Sequence, residues 1–311
     1  MNTVSIIIAT YNRADYLRDS LRTLAPALAR SGMAAEVLVV NNACTDHTDR
    51  VVAEFQQAHP QIPLQLIHEE QPGLSRARNA GLAHATGEMI CFLDDDVLVP
   101  EEWLTELVKA FTLDEKVGCI AGRIKLSWPD TQKPSWVDDK YNGFYSQYEH
   151  GDESNILPPG DIFYGANFAF TRQLVDRVGE FNTSLGRKGA LLLSGEDAEY
   201  AKRIWKHGFT IAYSATGYVY HRVAPERLTA PWLYKRYFWQ GVTSYYAAKS
   251  HTPAYPLYNI PKLLSNLLVL PFTCLLLNKR LIYRTLFRIA NALGPFYGWY
   301  LHVAKHVEVD A

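Results

Sequence analysis

Apolar and polar positions alternate along the first hundred residues in a regular way. Val4 to Ala9 is a short, nearly unbroken apolar run, the pattern of a strand covered on both faces. Asp15 to Arg30 then sets Leu17, Leu21, Leu24 and Leu28 at helical spacing. A second strand is predicted from Glu36 to Val40. A second helix follows from Asp46 to Ala58, with Thr45 or Asp46 suited to its N-cap. Leu64 to His68 predicts a third strand, and Leu74 to His84 a third helix, ended by Gly87. Met89 to Leu93 completes the series as a fourth strand. Such alternation predicts an α/β fold with a mostly parallel central sheet flanked by helices. Ligands of these sheets bind outside the carboxyl ends of the strands. Asn12-Arg13, Asn41-Asn42, Gln71-Pro72-Gly73 and Asp94-Asp95-Asp96 all fall at those ends, which predicts one shared site.

From about Val117 the pattern loosens. Strands are predicted at Cys119 to Leu126 and Ile162 to Thr171, separated by loops rich in Trp, Tyr, Pro and Gly between Ser127 and Pro159. Gly186 to Gly195 is a loop with a Gly-Arg-Lys-Gly tip. Glu196 to His207 is a helix closed by Gly208, and Thr210 to Tyr213 and Tyr218 to His221 are short strands. After about Ala230 the chain is helical, aromatic and interrupted by prolines. The expected division is a domain over 1–228 and a helical C-terminal extension over 229–311. Between Lys262 and Lys279, sixteen residues carry no formal charge. As a helix they reach about 24 Å, short of a bilayer core of about 30 Å, and Asn266 and Pro271 count against a span. Lys279, Arg280, Arg284 and Arg288 beside them suit anionic lipid heads. The expectation is an in-plane helix that contacts a membrane peripherally or forms a homo-oligomer. A buried core helix is the alternative.

Composition narrows the class. Of 311 residues, 48% are hydrophobic and 20% charged, enough for a sizeable core, and the formal net charge of -1 offers no basic excess for nucleic acid. Cys44, Cys91, Cys119 and Cys274 form no CxxC pair, which fits reduced thiols in a cytoplasmic protein. The first residues enter a strand at once, without a basic region and long apolar stretch, so no secretory signal is expected.

The triplet Asp94-Asp95-Asp96 carries the chemistry. Three adjacent carboxylates at the end of a buried strand repel one another and need a positive charge beside them. A hard divalent cation sharing its shell with a substrate phosphate would supply it. A solvated acidic turn would explain the triplet equally well if it stood alone.

It does not stand alone. Val4-Ser5-Ile6-Ile7-Ile8-Ala9-Thr10-Tyr11-Asn12-Arg13, Val39-Val40-Asn41-Asn42-Ala43-Cys44-Thr45-Asp46, Gly73 to Gly81, the Asp triplet and Gly195-Glu196-Asp197 occur in this order. Any one segment is a weak signal, but five in order are a strong one. From Val4 to about His221 the chain resembles the family 2 glycosyltransferases of GT-A fold. That fold joins a Rossmann-like nucleotide-sugar-binding half, here 1–100, to an acceptor half, here 101–228.

The resemblance implies a role for each residue. Ala9, Thr10, Tyr11 and Arg13 belong to the nucleotide-binding edge, where Tyr11 would stack on the base or simply sit on the rim. Asn41 lies where the family commonly carries an Asp that accepts the uracil N3–H; an amide oxygen accepts the same bond without the charge. Asn42 and Asp46 would cap the following helix instead. Arg78, at a helix start, would face the diphosphate. Asp96, with His221 as a late ligand, would hold Mn2+ or Mg2+, while Asp94 or Asp95 contacts the ribose and the metal's waters. Asp197 would be the catalytic base and Glu196 would orient the acceptor, although both acids also favour a helix N-terminus. Gly186 to Gly195 would close over the donor as a lid.

The implied activity is metal-dependent, inverting transfer of one sugar from a nucleotide sugar, a UDP-sugar first, to a glycan or lipid-linked acceptor. The Gln-x-x-Arg-Trp element of processive synthases is missing: Phe238-Trp239-Gln240 is a different pattern. Trp128, Trp136, Tyr141, Phe144 and Tyr145 would pack on sugar rings or on one another. Two other readings compete. A nucleotidyltransferase would open with a glycine-rich loop, and Ala9 to Arg13 has no glycine. An inactive scaffold of the same fold would not need both the triplet and Asp197.

Overall fold

The computed structural model describes residues 3–129, 133–188, 192–248 and 254–305. They divide into two compact units. The first comprises Met1–Ser127, Tyr145–Thr183 and Glu196–Arg222, and the second Trp128–Phe144, Ser184–Gly195 and Val223–Ala311.

The first unit begins as the hydrophobic pattern predicts: β1 (Thr3–Thr10), α1 (Ala14–Ser31), β2 (Ala34–Asn42), α2 (Thr48–Ala58), β3 (Leu64–Glu69), α3 (Leu74–His84) and β4 (Met89–Asp94). It continues with β5 (Val97–Leu98), α4 (Trp103–Lys109), β6 (Val117–Ser127), β7 (Asn155–Ile156), β8 (Asn167–Thr171), α5 (Arg172–Val178), α6 (Glu196–Lys206) and β9 (Thr210–Arg222). The strands form one sheet in the order β3-β2-β1-β4-β8-β6-β9-β5, with β7 paired to β9. β3, β2, β1 and β4 are mutually parallel, and β8 joins β4 antiparallel. The register sets Thr10 opposite Asn41 and Ala9 opposite Asp94, so the carboxyl ends of three strands finish level.

The short elements β5, α4, β7 and α5 have too few residues to show a period and were not predicted. Two predicted strands, Thr210 to Tyr213 and Tyr218 to His221, are a single strand, β9. Polar Ser214 and Thr216 interrupt its apolar pattern, and a register shift against β6 between Gly122 and Ile124 absorbs the irregularity. The strand expected from Ile162 starts only at Asn167. Asn167 is fully buried and serves three elements: its Oδ1 accepts from Trp103 Nε1 at 2.9 Å, and its Nδ2 donates to the carbonyls of Gly217 and Arg123 at 2.9 and 3.1 Å.

Loops at the carboxyl ends are fixed by side-chain oxygens. Asp46 caps two helices at once. Its Oδ1 accepts from the Thr48 amide at 3.1 Å, at the start of α2, and its Oδ2 from the Ala14 amide at 2.9 Å, at the start of α1. Asn42 does not cap α2 as expected. It ties the turn before α3, accepting from the Gly73 amide at 2.8 Å and donating to the Gln71 carbonyl at 2.9 Å.

The second unit is built on α7 (Ala230–Ala247), α8 (Ala254–Leu257), α9 (Ile260–Leu275) and α10 (Lys279–Lys305). α7 and α10 cross where two glycines meet: a Cβ on Gly241 would lie 2.1 Å from the Asn291 carbonyl oxygen, and one on Gly294 2.3 Å from that of Phe238. Segments 128–144 and 184–195, expected within the acceptor half, pack with these helices. Tyr141 meets Tyr237 and Phe287 edge-on, Phe144 meets Tyr237, and Trp136 meets Tyr283. Tyr141 is thus used in packing, and Tyr145 is fully buried in the first unit, so neither presents a face to an acceptor. Among the described residues no helix is long and apolar enough to cross a membrane. Residues 189–191 of the expected lid lie outside the described residues.

Candidate active site

The acidic triplet sits at the end of β4 with its charges separated by role. Asp94 is partly exposed, whereas Asp95 and Asp96 are buried. Arg13, in the turn between β1 and α1, supplies the positive charge predicted for the triplet. One of its nitrogens, Nη1, lies 2.9 Å from Asp95 Oδ1 and 2.7 Å from Asp96 Oδ2. Burial opposes the guanidinium charge, but the two carboxylates raise its pKa above the ordinary arginine value. Asp95 also accepts from Thr10 Oγ1 at 2.7 Å. Burial pushes the Asp95 pKa up to about 6, with Arg13 opposing and Asp96 adding to the shift.

His221 reaches this corner from the far edge of the sheet. The antiparallel pair β5 and β9 sets Val97 opposite His221, directly after the triplet. His221 Nε2 lies 3.2 Å from Asp96 Oδ1, and the backbone adds a bond from the Arg222 amide to the Asp96 carbonyl at 3.0 Å. Asp94, Asp96 and His221 each offer one ligand atom within 4.8 Å of the others. Two carboxylates and an imidazole suit an octahedral, oxygen-preferring divalent ion that keeps positions open for phosphate oxygens. The imidazole favours Mn2+ over Mg2+ in such a set. Asp94 therefore stands beside the expected Asp96 and His221 as a third candidate ligand.

A second charged cluster adjoins the first. Arg78, on the first turns of α3, is only 3% exposed on its side chain. Its Nη1 donates to Asp197 Oδ1 at 2.9 Å and lies 3.4 Å from Glu196 Oε1, and its Nη2 donates to the Gly165 carbonyl at 3.2 Å. On the other side, Nη2 is 3.9 Å from Asp94 Oδ1. The guanidinium packs over the rings of Phe168 and Phe181 at 5.3 and 5.4 Å. Burial works against this charge, yet Asp197, Glu196 and Asp94 together raise its pKa. Arg78 thus links the triplet to the acids that open α6.

Those acids occupy the first turn of α6, where the helix dipole favours negative charge. Burial, then the charge of Glu196, pushes the Asp197 pKa up to about 7, against the pull of Arg78. A carboxyl poised there can accept a proton near neutrality. Glu196 is buried, and its Oε2 has no hydrogen-bond partner among the described residues.

The nucleotide-edge residues lie on the neighbouring strand ends. Ala9 and Thr10 end β1, and Tyr11 is 43% exposed just beyond. Asn41 is buried, and its amide is already engaged. Its Oδ1 accepts from the Cys44 amide at 2.7 Å, and its Nδ2 donates to Asp49 Oδ1 at 2.6 Å. One lone pair of the oxygen remains for a further donor.

Two residues near the site escaped the sequence reasoning. Asp49, in the first turn of α2, is placed by this bond beside the strand ends. Gly165 lies where a Cβ would come 2.2 Å from Arg78 Nη2 and 3.2 Å from Asp197 Oδ2. No motif marks either: Asp49 looks like an ordinary helix-surface acid, and the need for Gly165 appears only when α3 and α6 converge on it.

The α/β sheet, with acids and arginines at its strand ends, has the GT-A fold of glycosyltransferases. The chain belongs to the family Glycosyl transferase family 2, whose model matches residues 5–179. It is 26% identical to the Glucosyl-dolichyl phosphate glucuronosyltransferase of Haloferax volcanii over 76% of this chain and 75% of the relative. It is 29% identical to the Succinoglycan biosynthesis protein ExoM of Rhizobium meliloti over 77% of this chain and 73% of the relative. Among solved structures, the mannosyltransferase PcManGT of Pyrobaculum calidifontis, in complex with GDP-Man and Mn2+, superimposes with a TM-score of 0.63 at 24% identity, covering 94% of this chain and 87% of that one. GalNAc-T7 with UDP, GalNAc and Mn2+ gives 0.55 at 18% identity, covering 72% and 44%.

Proposed function

We propose that this chain transfers a single sugar from a nucleotide-sugar donor, a UDP-sugar first, to an acceptor hydroxyl with inversion at the anomeric carbon. The observation that carries the reading is the continuity of the two charged clusters: the Asp94–Asp96–His221 set meets Arg78, and Arg78 meets Asp197.

In this reading Thr10, Tyr11 and Asn41 receive the nucleoside, Asp94 and Asp95 the ribose edge, and Arg13 and Arg78 the diphosphate. Asp94, Asp96 and His221 would hold Mn2+ or Mg2+, which supplies positive charge to the departing diphosphate. Arg78 stabilises the same charge from a buried, preorganised position, where it acts more strongly than in water. Asp197 takes the proton from the acceptor oxygen as that oxygen attacks, and Glu196 aligns the acceptor with its unmatched oxygen. Direct attack on the face opposite the leaving group gives inversion in one displacement. The names of the Haloferax and Rhizobium relatives support a glycan or lipid-linked acceptor.

Calorimetric titration of UDP and GDP, each with and without Mn2+, tests the reading. Metal-dependent UDP binding that is lost in Asp96→Ala is the expected result. Selective GDP binding would retain the transfer chemistry and change the donor. Binding of neither nucleotide would overturn the proposal.

A further inference from the structure

The helix α9 has its polarity turned inside out. Its least exposed positions, Leu263, Asn266, Leu270 and Thr273, recur at helical spacing and form the side turned toward the protein. Two of these four are polar. The opposite side, at Leu264, Leu268, Phe272 and Leu275, is apolar, and Leu268, Phe272 and Leu275 are 72%, 68% and 79% exposed. A helix bathed in water shows the reverse arrangement, with apolar residues inward. The exposed stripe runs on into Leu276 and Leu277 at the tip. Leu277 holds a left-handed backbone, φ 50°, which a leucine adopts only at a cost.

The formal charges on α7 to α10 have one sign. Residues 227–307 contain ten Lys or Arg and no Asp or Glu, in a chain whose net charge is -1. Lys279, Arg284 and Arg288 are exposed on α10, which packs on α9. Large apolar patches on a soluble surface mark contact sites. Pairing this face with a second copy would set the cations of α9 and α10 against their own kind, while the nearby acids Asp138 and Asp139 are already paired with Lys140 and Lys133. A bilayer carrying anionic lipid matches both the apolar stripe and the cations. The helix, with sixteen residues, is too short to span and holds Pro271 within it.

We propose that α9 and its leucine tip lie in the surface of an anionic membrane, with the basic residues of α10 against the lipid headgroups. This inference is independent of the donor and of the sugar transferred. Association with the bilayer would confine the enzyme to the plane in which lipid-linked acceptors diffuse.

Sedimentation with vesicles of phosphatidylcholine alone, or mixed with phosphatidylglycerol, tests it on the full chain. The protein should bind the mixed vesicles, bind the neutral ones weakly, and be released by high salt. Leu268→Glu with Phe272→Glu, both exposed positions, should lower vesicle affinity at least tenfold while catalysis on a soluble acceptor is unchanged. Lys279→Glu with Arg284→Glu is the second variant, free of any change to the apolar stripe. Each lost cation should weaken binding to the mixed vesicles about fivefold. No binding to the mixed vesicles, or binding indifferent to both double variants, would overturn the proposal. So would a concentration-dependent dimer that Leu268→Glu abolishes in a protein that ignores vesicles, since a second copy would then cover the face.

Discussion

Arg78 Nη1 and Asp197 Oδ1 are joined by a 2.9 Å hydrogen bond in the interior of the site. The bond couples the group proposed to bind the leaving diphosphate to the group proposed to deprotonate the acceptor. A charge arriving at Arg78 draws the guanidinium toward itself and weakens its hold on Asp197, which then becomes a better base. Arg78→Lys keeps the charge but loses the fork that reaches Asp197, Gly165 and Asp94 together. Steady-state kinetics should show a fall in kcat larger than the rise in donor KM. A change in KM alone would mean that Arg78 only binds.

Asp197→Asn should reduce turnover roughly 10²–10⁴-fold, the usual contribution of a general base, and leave nucleotide affinity within about twofold. A radiolabelled-donor assay beside nucleotide titration separates the two effects. Turnover near the native rate would remove Asp197 from the mechanism.

The pH dependence follows from the same residue. Its folded pKa of about 7 lies above its ordinary 3.8, so the base is competent only above neutrality. The rate at saturating acceptor should therefore rise through about pH 7. Stability runs the other way. The favourable contribution of the proton is complete below the unfolded value and is lost as pH rises through about 7. Asp197→Asn should therefore melt higher than the native protein above pH 7, and the difference should vanish near pH 4. An equal melting temperature at all pH values would show that the carboxyl carries no burial penalty.

Gly165→Ala places a methyl 2.2 Å from Arg78 Nη2 and must displace the guanidinium. Activity should fall roughly 10–10²-fold, as misplacement by about an ångström does, while far-ultraviolet circular dichroism stays native. Unaltered activity would show that Arg78 has another productive position.

Arg13→Ala leaves Asp95 and Asp96 without their shared counter-charge. Because Arg13 is 25% exposed, the loss should be about 2 kcal/mol, below that of a fully buried pair. Added Mn2+ should recover much of it in thermal unfolding, since a cation can take over the neutralising role. Asp96→Ala should not respond to Mn2+, and a response there would remove Asp96 from the ligand set.

The first four strands and three helices were legible because each repeats its apolar period over enough residues to leave little choice of partner. β9 was not legible as one strand. Its Ser214 and Thr216 look like a break, and only its pairing across a register shift with β6 shows continuity. The positions of the Asp triplet, Arg78 and Asp197 were legible through short ordered motifs. What the motifs could not convey is how the acids divide the available cations, with Arg13 on Asp95 and Asp96 and Arg78 on Asp197. That division depends on how far α3 and α6 approach, a matter of packing. Asn41 shows the same limit: the sequence offers an amide at a base-binding position, and the structure commits that amide to Cys44 and Asp49.

The pairing of Val97 with His221 has a consequence for the order in which the protein is made. Asp94 and Asp96 belong to an early, mostly local set of strands and helices. Their imidazole partner arrives on the last strand of the sheet, far downstream, and closing so long a loop is slow. A growing chain therefore displays the carboxylates well before it can complete a cation site. A cation held by Asp94, Asp96 and His221 would therefore act as a late latch, stabilising the sheet only once its final strand is in place rather than its first half alone.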